Sequence, residues 1–324
     1  MTKGIIVDRR RLLAAGAAIG AFGLYRPRGL RAETFVNVLT GGTSGAYYPI
    51  GVALAGAIEK AVPGTKTSVQ ATKASVENLN LLQKGQGEIG FTLADSASAA
   101  VAGNEEAGFK TKLDKLRLIA GIYSNYVQIV ANAESGVKSL ADMKGKRISV
   151  GAPKSGTELN ARAILGAAGL TYDDFAKVEY LPFAESVDLM KNRQIDITLQ
   201  SAGLGVGSIK DLAASLAITV VPVPAAIVAK VGDAAYQAGE IPAGTYGGQD
   251  AAVPTATIRN LLVSHAGVAD DLAYGMTKAL FDNLDALVAS HAAAKGIKLD
   301  AGAATGPVPL HDGALRFYKE KGLA

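Results

Sequence analysis

The sequence predicts an α/β protein with parallel sheet, large enough for two lobes. Three observations carry this. The chain has 324 residues, 49% hydrophobic and 19% charged, which supplies a sizeable core and suits two domains better than one. A strand–glycine loop–helix unit appears near the start and again about a hundred residues later. Between and after these units, strand-like and helix-like segments keep alternating, the pattern of parallel sheet with helical crossovers.

The first unit begins with Phe35-Val36-Asn37-Val38-Leu39-Thr40, which has a strand's composition and partial alternation. Gly41-Gly42-Thr43-Ser44-Gly45 follows. Pro49 then sits near the first turn of an apolar-periodic segment that predicts a helix to about Lys60. In the second unit Arg147-Ile148-Ser149-Val150 reads as a strand, Gly151–Gly156 as a tight loop, and Thr157–Leu165 as a helix. Glu88–Leu93 followed by Ser96–Val101, and Ile195–Leu199 followed by Ser208–Ser215, repeat the alternation. Similarity between the two units is slight, so they are an architectural echo and not a duplication.

The chain's formal charge of +4 belongs to its first 32 residues. There Lys3, Arg9, Arg10, Arg11, Arg26, Arg28 and Arg31 face the single acid Asp8, a net +6, so the remaining 292 residues carry −2. A body of that charge has no global attraction for a phosphate backbone, and no nucleic-acid partner is expected. Arg9-Arg10-Arg11 precede a mild apolar run from Leu12 to Leu24, short of the roughly 20 residues a bilayer-spanning helix needs. Leu30-Arg31-Ala32 offers a cleavage point before Glu33. Residues 1–32 are therefore expected to be a cleaved export signal, placing the protein in the periplasm; an uncleaved N-terminal anchor is the alternative. The paired arginines resemble a twin-arginine signal, although Asp8 and Ala14 stand where Ser or Thr and Lys are usual.

Both loops suit an anion. Glycines let the backbone approach a ligand, and the N–H groups that open a helix lack internal partners and sit at the positive end of its dipole. Thr43, Ser44, Ser155 and Thr157 add hydroxyl donors beside Gly42 and Gly156, and Lys154 adds a cation before Ser155. One such end in each lobe describes a cleft that closes on an anion from both sides. Taken singly, the same residues are also ordinary helix caps. Tyr47 and Tyr48 either wall the cleft or pack one turn into the helix.

Catalytic and metal motifs are incomplete. Gly151 and Gly156 match the outer glycines of a phosphate loop, but Thr157-Glu158 stand where Lys followed by Ser or Thr is required. Ser135 and Lys138 have a Ser/Lys spacing without its companion motifs. Gly203, Gly205 and Gly207 lack the dinucleotide spacing. His265, His291 and His311 have no second ligand at helical spacing, and cysteine is absent. No catalytic residue, metal or cofactor is expected.

Thr40-Gly41-Gly42-Thr43-Ser44-Gly45-Ala46-Tyr47-Tyr48-Pro49 resembles the opening signature of the TAXI-type solute receptors of TRAP transporters. Ser75-Val76-Glu77-Asn78-Leu79, Lys144-Gly145-Lys146-Arg147, Ser155-Gly156-Thr157, Ile241–Tyr246 and Leu310–Ala314 resemble its later blocks in order. The resemblance implies a type II periplasmic-binding-protein fold, with two α/β lobes joined by strands that cross a hinge. It also implies a small carboxylate ligand such as glutamate or a 2-oxoacid, a monomeric receptor, and delivery to a sodium-driven TRAP membrane subunit of the fused kind. Carried over by residue, it points to Thr43, Ser44, Tyr48, Ser75, Asn78, Ser155 and Thr157 as ligand contacts. Asp95-Ser96 matches the family's acid-bearing turn. Ala94 departs from a position often held by Gln, and Lys73 and Lys154 from positions usually small. His311 matches the pattern, with a packing or hydrogen-bonding role expected. The architecture expected is lobe 1 over residues 33–125 and 253–324 and lobe 2 over 126–252. Leu116–Ala131, interrupted at Tyr123-Ser124-Asn125, makes the first crossing and Val253–Val263 the return. Closure of the lobes on a bridging ligand would follow. An enzyme on the same fold and a sensory receptor remain as the other function classes.

Overall fold

The computed structural model describes residues 33–303 and 306–324; the expected export signal, residues 1–32, lies outside the described residues. Strand β1 (Thr34–Leu39) leads into α1 (Tyr47–Ala61), β2 (Thr65–Gln70) into α2 (Ser75–Gln83), and β3 (Ile89–Leu93) directly into α3 (Ala94–Ala102). Helix α1 buries Tyr47, Ile50, Leu54, Ala57 and Ile58, the three- and four-residue spacing that aligns one face against the sheet. Every residue of β3 is buried, as befits a strand covered on both faces. Gly103 ends α3 in the left-handed conformation, φ 72°, that a side chain would resist.

A long strand, β4 (Leu116–Asn132), then carries the chain into a second half: β5 (Arg147–Ser149), α4 (Gly156–Ala167), β6 (Lys177–Glu179), α5 (Phe183–Lys191), β7 (Ile197–Ala202), α6 (Gly207–Ser215), β8 (Ile218–Val221), α7 (Ala225–Lys230) and β9 (Tyr236–Ile241). Strand β10 (Val253–His265) returns, followed by α8 (Asp270–Asp282), α9 (Leu284–Ser290), α10 (Leu299–Gly302) and α11 (Asp312–Glu320).

The sheet corrects one expectation. Its path is β2-β1-β3-β10-β4-β7-β5-β6, and only the two wings are parallel. The centre is antiparallel, because β4 leaves the first wing and β10 comes back beside it. Strand β4 is also continuous through Tyr123-Ser124-Asn125, where a break was expected; the irregularity appears as register shifts against β10. Two apolar clusters are built from residues 36–123 and 261–318. Two more are built from residues 127–258, with Leu93 reaching in. Between them, Asn125 and Asn260 are among the polar side chains that the crossing strands bury.

The C-terminal helix is locked onto the first half. Phe317 stacks on Phe281 with ring centroids 5.7 Å apart, and Tyr318 donates to Ile119 O at 3.0 Å. His311 caps α11: Nδ1 accepts from Gly313 N–H at 3.2 Å, which leaves Nε2 to donate to Val268 O at 3.0 Å. Among the described residues no helix is long and apolar enough to cross a membrane.

Candidate functional site

A cavity lies where the carboxyl ends of both parallel wings meet. It spans about 710 Å³, part of it open to solvent, and takes its walls from the segments that follow β1, β2, β5 and β6, from the last residues of β3 and β7, and from Asn125 of β4. This is where an open α/β sheet leaves room for a ligand, because the helices that cover its faces begin there.

On the first-half side, Gly42, Ser44, Tyr47, Lys73 and Ser75 line the cavity. The turn that presents Ser75 is held by an asparagine outside the lining. Asn78 is fully buried, and its Nδ2 donates to Thr40 O at 2.6 Å and Phe91 O at 2.8 Å. Its Oδ1 lies 2.7 Å from the Thr72 hydroxyl, whose oxygen accepts from Ala74 N–H at 2.9 Å. Ala74 thereby adopts φ 67° and ψ −148°, a region essentially reserved for glycine and costing roughly 1–3 kcal/mol. Strain of that size at the head of α2 turns Ser75 into the cavity. Asn78→Ala leaves two buried carbonyls and a strained turn without their tie, so it is expected to destabilise by about 2 kcal/mol in urea unfolding. Unchanged stability would contradict the role given to this network.

On the second-half side, Ser155, Gly156 and Thr157 open α4, and Pro182 and Phe183 open α5. The Ser155 hydroxyl accepts from Glu158 N–H at 3.2 Å, and the Ser75 hydroxyl accepts from Leu93 N–H at 3.1 Å. With an oxygen lone pair of each committed to a backbone donor, both side chains keep their O–H to donate. Glu158, in the first turn of α4, would offset the helix dipole, but Arg162 neutralises it through contacts of 2.6 Å and 2.9 Å.

The two sides touch. A Cβ on Gly156 would lie 2.5 Å from Ser75 Oγ and 2.9 Å from Leu93 Cδ1, so only glycine permits this approach. The Phe183 ring reaches across to Gly45, 3.8 Å from where its Cβ would be. Tyr47, stacked on Phe91 with centroids 4.9 Å apart, donates to Asn260 Oδ1. Asn260 Nδ2 continues to Asn125 Oδ1 at 2.8 Å, and Asn125 Nδ2 to Ser201 O at 2.9 Å. Burial holds the Tyr47 phenol well above its ordinary pKa, so it is neutral and a donor. Ser201 lines the cavity, and its buried hydroxyl has no hydrogen-bond partner among the described residues.

Of the residues picked from sequence, Gly42, Ser44, Ser75, Ser155, Gly156 and Thr157 line the cavity. Thr43, Tyr48, Asn78, Asp95 and Lys154 do not, each for a physical reason. Thr43 is exposed on the outside of its turn, and Tyr48 is rotated one helical step away from the wall that Tyr47 forms. Asn78 lies one turn down α2, tied to the carbonyls named above. Asp95 is buried under α3, where Oδ2 accepts from Asn160 Nδ2 at 2.7 Å and Tyr236 OH at 2.8 Å. Its carboxyl is pushed up to about 6, chiefly by burial, against the hydrogen bonds from Tyr236 and Ser96, with Asp233 adding to the rise. Lys154, at φ 55°, is exposed and lies along Gly108 of the first half. The lining cation is Lys73 instead. Asn125, Phe183 and Ser201 are not singled out from sequence, whereas Tyr47 is offered there as either a cleft wall or a packed helix residue; the readable signal for Asn125 is a polar residue inside an otherwise apolar strand.

Residues 38–322 match the model of the NMT1-like family. The chain belongs to the NMT1-like family. Among solved structures it is similar to a protein of Bordetella bronchiseptica RB50, at 15% identity and TM-score 0.57 over 89% of this chain and 98% of that one. It is similar to PhnD1 from Prochlorococcus marinus MIT 9301, solved in complex with methylphosphonate, at 9% identity and TM-score 0.57 over 90% of this chain and 100% of that one. The periplasmic binding protein BugD matches at 11% identity and TM-score 0.57 over 90% of this chain and 94% of that one. At such identities the likeness speaks to fold. The chain has the α/β periplasmic-binding-protein fold of type II, two lobes around a cleft, with β4 and β10 running between them.

Proposed function

We propose that this protein is a periplasmic solute-binding protein that captures a small organic anion, a carboxylate first of all, and delivers it to a membrane transporter. One observation carries the reading. The cavity is bounded from both halves by the N-termini of α2 and α4, whose Ser75 and Ser155 oxygens accept backbone N–H groups and so leave their O–H groups to donate, with Lys73 as its lining cation. PhnD1, of the same fold, was solved with a small oxyanion, methylphosphonate, which agrees with this chemistry.

In this reading lobe 1 comprises residues 33–125 and 253–324 and lobe 2 residues 126–252, with the return crossing on β10. Asn125 and Asn260 mark the crossing. Ligand contacts from both lobes favour the closed form, which the transporter would recognise. The likeness of the motifs around Thr43, Ser75 and Ser155 to TAXI receptors makes a TRAP membrane subunit the partner, and residues 1–32 the cleaved export signal of a monomeric receptor. The protein is a carrier rather than an enzyme in this reading: its most perturbed acid, Asp95, is tied up between the halves and lies off the cavity wall.

Native mass spectrometry of the protein from its own periplasm would identify the carried molecule. A saturating anion at about a hundred times its dissociation constant is expected to stabilise the protein by ~2.7 kcal/mol. Stabilisation by sugars, with none from any carboxylate or phosphonate, would sink the proposal.

A further inference from the structure

Resting on the anion-binding reading above, we infer that the ligand is a singly charged organic anion with an apolar body and no ammonium group, and that Lys73 supplies its counter-charge. The inference starts from a charge inventory. Among the described residues that line the cavity, Lys73 is the only charged one; no Asp or Glu joins them. Nor does Lys73 meet its charge elsewhere: no ion pair among the described residues engages it, and Glu77 gives its carboxylate to the Lys73 backbone N–H at 2.6 Å.

A zwitterionic amino acid would bring an ammonium group that needs a carboxylate. Neither carboxylate close to the lining serves it: Asp95 is held by Asn160, Tyr236 and Ser96, Glu77 is engaged by the Lys73 backbone N–H, and both are absent from the wall. A buried charge without a partner is strongly unfavourable, so the cavity rejects the amino acid while admitting its deaminated counterpart. A dianion would bring a second negative charge with no second cation to meet it. The hydroxyl directions agree: Ser75 and Ser155 have accepted backbone N–H groups and are left to donate, which serves an oxyanion and not an ammonium. Part of the remaining wall, the Tyr47 and Phe183 rings with Leu93 and Ala202, offers an apolar surface to the rest of the ligand, beside the polar Asn125 and Thr157.

Carboxylate and sulfonate share the singly charged oxyanion, and the test separates them. Calorimetric titration of the mature protein would use pentanoate, 3-phenylpropanoate and 1-pentanesulfonate as monoanions, norvaline and phenylalanine as amino counterparts, and glutarate as the dianion. At least one monoanion is expected to bind tenfold or more tighter than its amino counterpart and than glutarate; which headgroup wins names the source. Lys73→Gln should weaken that monoanion at least tenfold, with Lys73→Arg restoring most of it. Norvaline, phenylalanine or glutarate binding as tightly as the monoanions would overturn the inference and leave the organic-anion reading standing. So would full affinity in Lys73→Gln. Failure of every anion in the series, with or without a sugar binding in their place, would remove both.

Discussion

Gly156→Ala is expected to weaken ligand binding at least a hundredfold while leaving the unliganded protein as stable as before or slightly more so. The added Cβ would meet Ser75 Oγ at 2.5 Å, Leu93 Cδ1 at 2.9 Å and Ser75 Cβ at 3.0 Å, all three belonging to the opposite half. Gly156 is the first residue of α4 and has no positive φ, and alanine favours a helix over glycine by roughly 0.5–1 kcal/mol. The methyl group therefore acts on closure and not on folding. Two serines and two helix ends must converge on one ligand, and a wedge between Ser75 and Gly156 keeps them from doing so. A hundredfold loss corresponds to about 2.7 kcal/mol, roughly one or two charge-assisted hydrogen bonds. Titration calorimetry gives the affinity, and small-angle scattering shows whether saturating ligand still contracts the molecule. Wild-type affinity in this variant would mean that the ligand is held by one half alone.

The same position shows what a sequence can and cannot convey. Ser155-Gly156-Thr157 reads as a loop that opens a helix, because glycine and two hydroxyls precede an apolar period, and the structure has α4 starting there. That Gly156 faces Ser75, 81 residues earlier, is a property of two lobes meeting, and no local pattern encodes it. The wings of the sheet were legible for a related reason. Each strand–loop–helix unit is local, and its hydrophobic period is complete within about 25 residues. The antiparallel centre was not, since β4 and β10 are distant in sequence and a strand's composition says nothing of its neighbour's direction.

Side-chain roles divide along the same line. Asn78 is picked from sequence because the Ser75–Leu79 block resembles that of TAXI receptors, but in the structure it faces three carbonyls and a hydroxyl instead of the cavity. Proximity in sequence to a functional loop does not distinguish a residue that touches the ligand from one that holds the loop. Lys154 and Lys73 make the point more sharply. Both are cations just ahead of a helix, both depart from the same motif pattern, and the difference lies in φ. The left-handed turn at Lys154 sends its chain outward along Gly108, whereas Lys73, one residue before the strained Ala74, lines the cavity.

The pH dependence of stability should carry the signature of Asp95. Buried between α3, α4 and β9, its carboxyl is raised to about 6 by burial, with the neighbouring Asp233 pushing the same way and the hydrogen bonds from Tyr236 and Ser96 opposing. In the unfolded chain an aspartate titrates near 3.9. Below about pH 4 both states hold the proton and the group contributes no penalty. Between about 4 and 6 the unfolded chain releases its proton while the folded protein retains it, so stability falls as pH rises. Above about 6 both are ionised, and the folded state bears the full difference, on the order of 3 kcal/mol for two pKa units. Tyr236 does not confuse the window, because burial and the adjacent carboxylate raise its phenol far above it. Asp196, which Arg147 holds below the ordinary carboxylate range, acts with the opposite sign and gains stability as pH rises. Subtraction therefore isolates Asp95: urea midpoints of wild type and Asp95→Asn measured from pH 4 to 7.5 should draw apart or together by on the order of 2–3 kcal/mol, wild type losing stability relative to the variant as pH rises. The amide also changes the hydrogen bonds to Asn160 and Tyr236, which moves the whole curve but not its slope. Because those partners lie in the other half, the same proton should favour the closed form, and ligand affinity should rise on going from pH 7.5 to 5 in wild type and stay level in Asp95→Asn. Parallel stability curves for the two proteins across this range would show that the carboxyl is solvated and that the Asp95–Asn160–Tyr236 contact does not join the halves in solution.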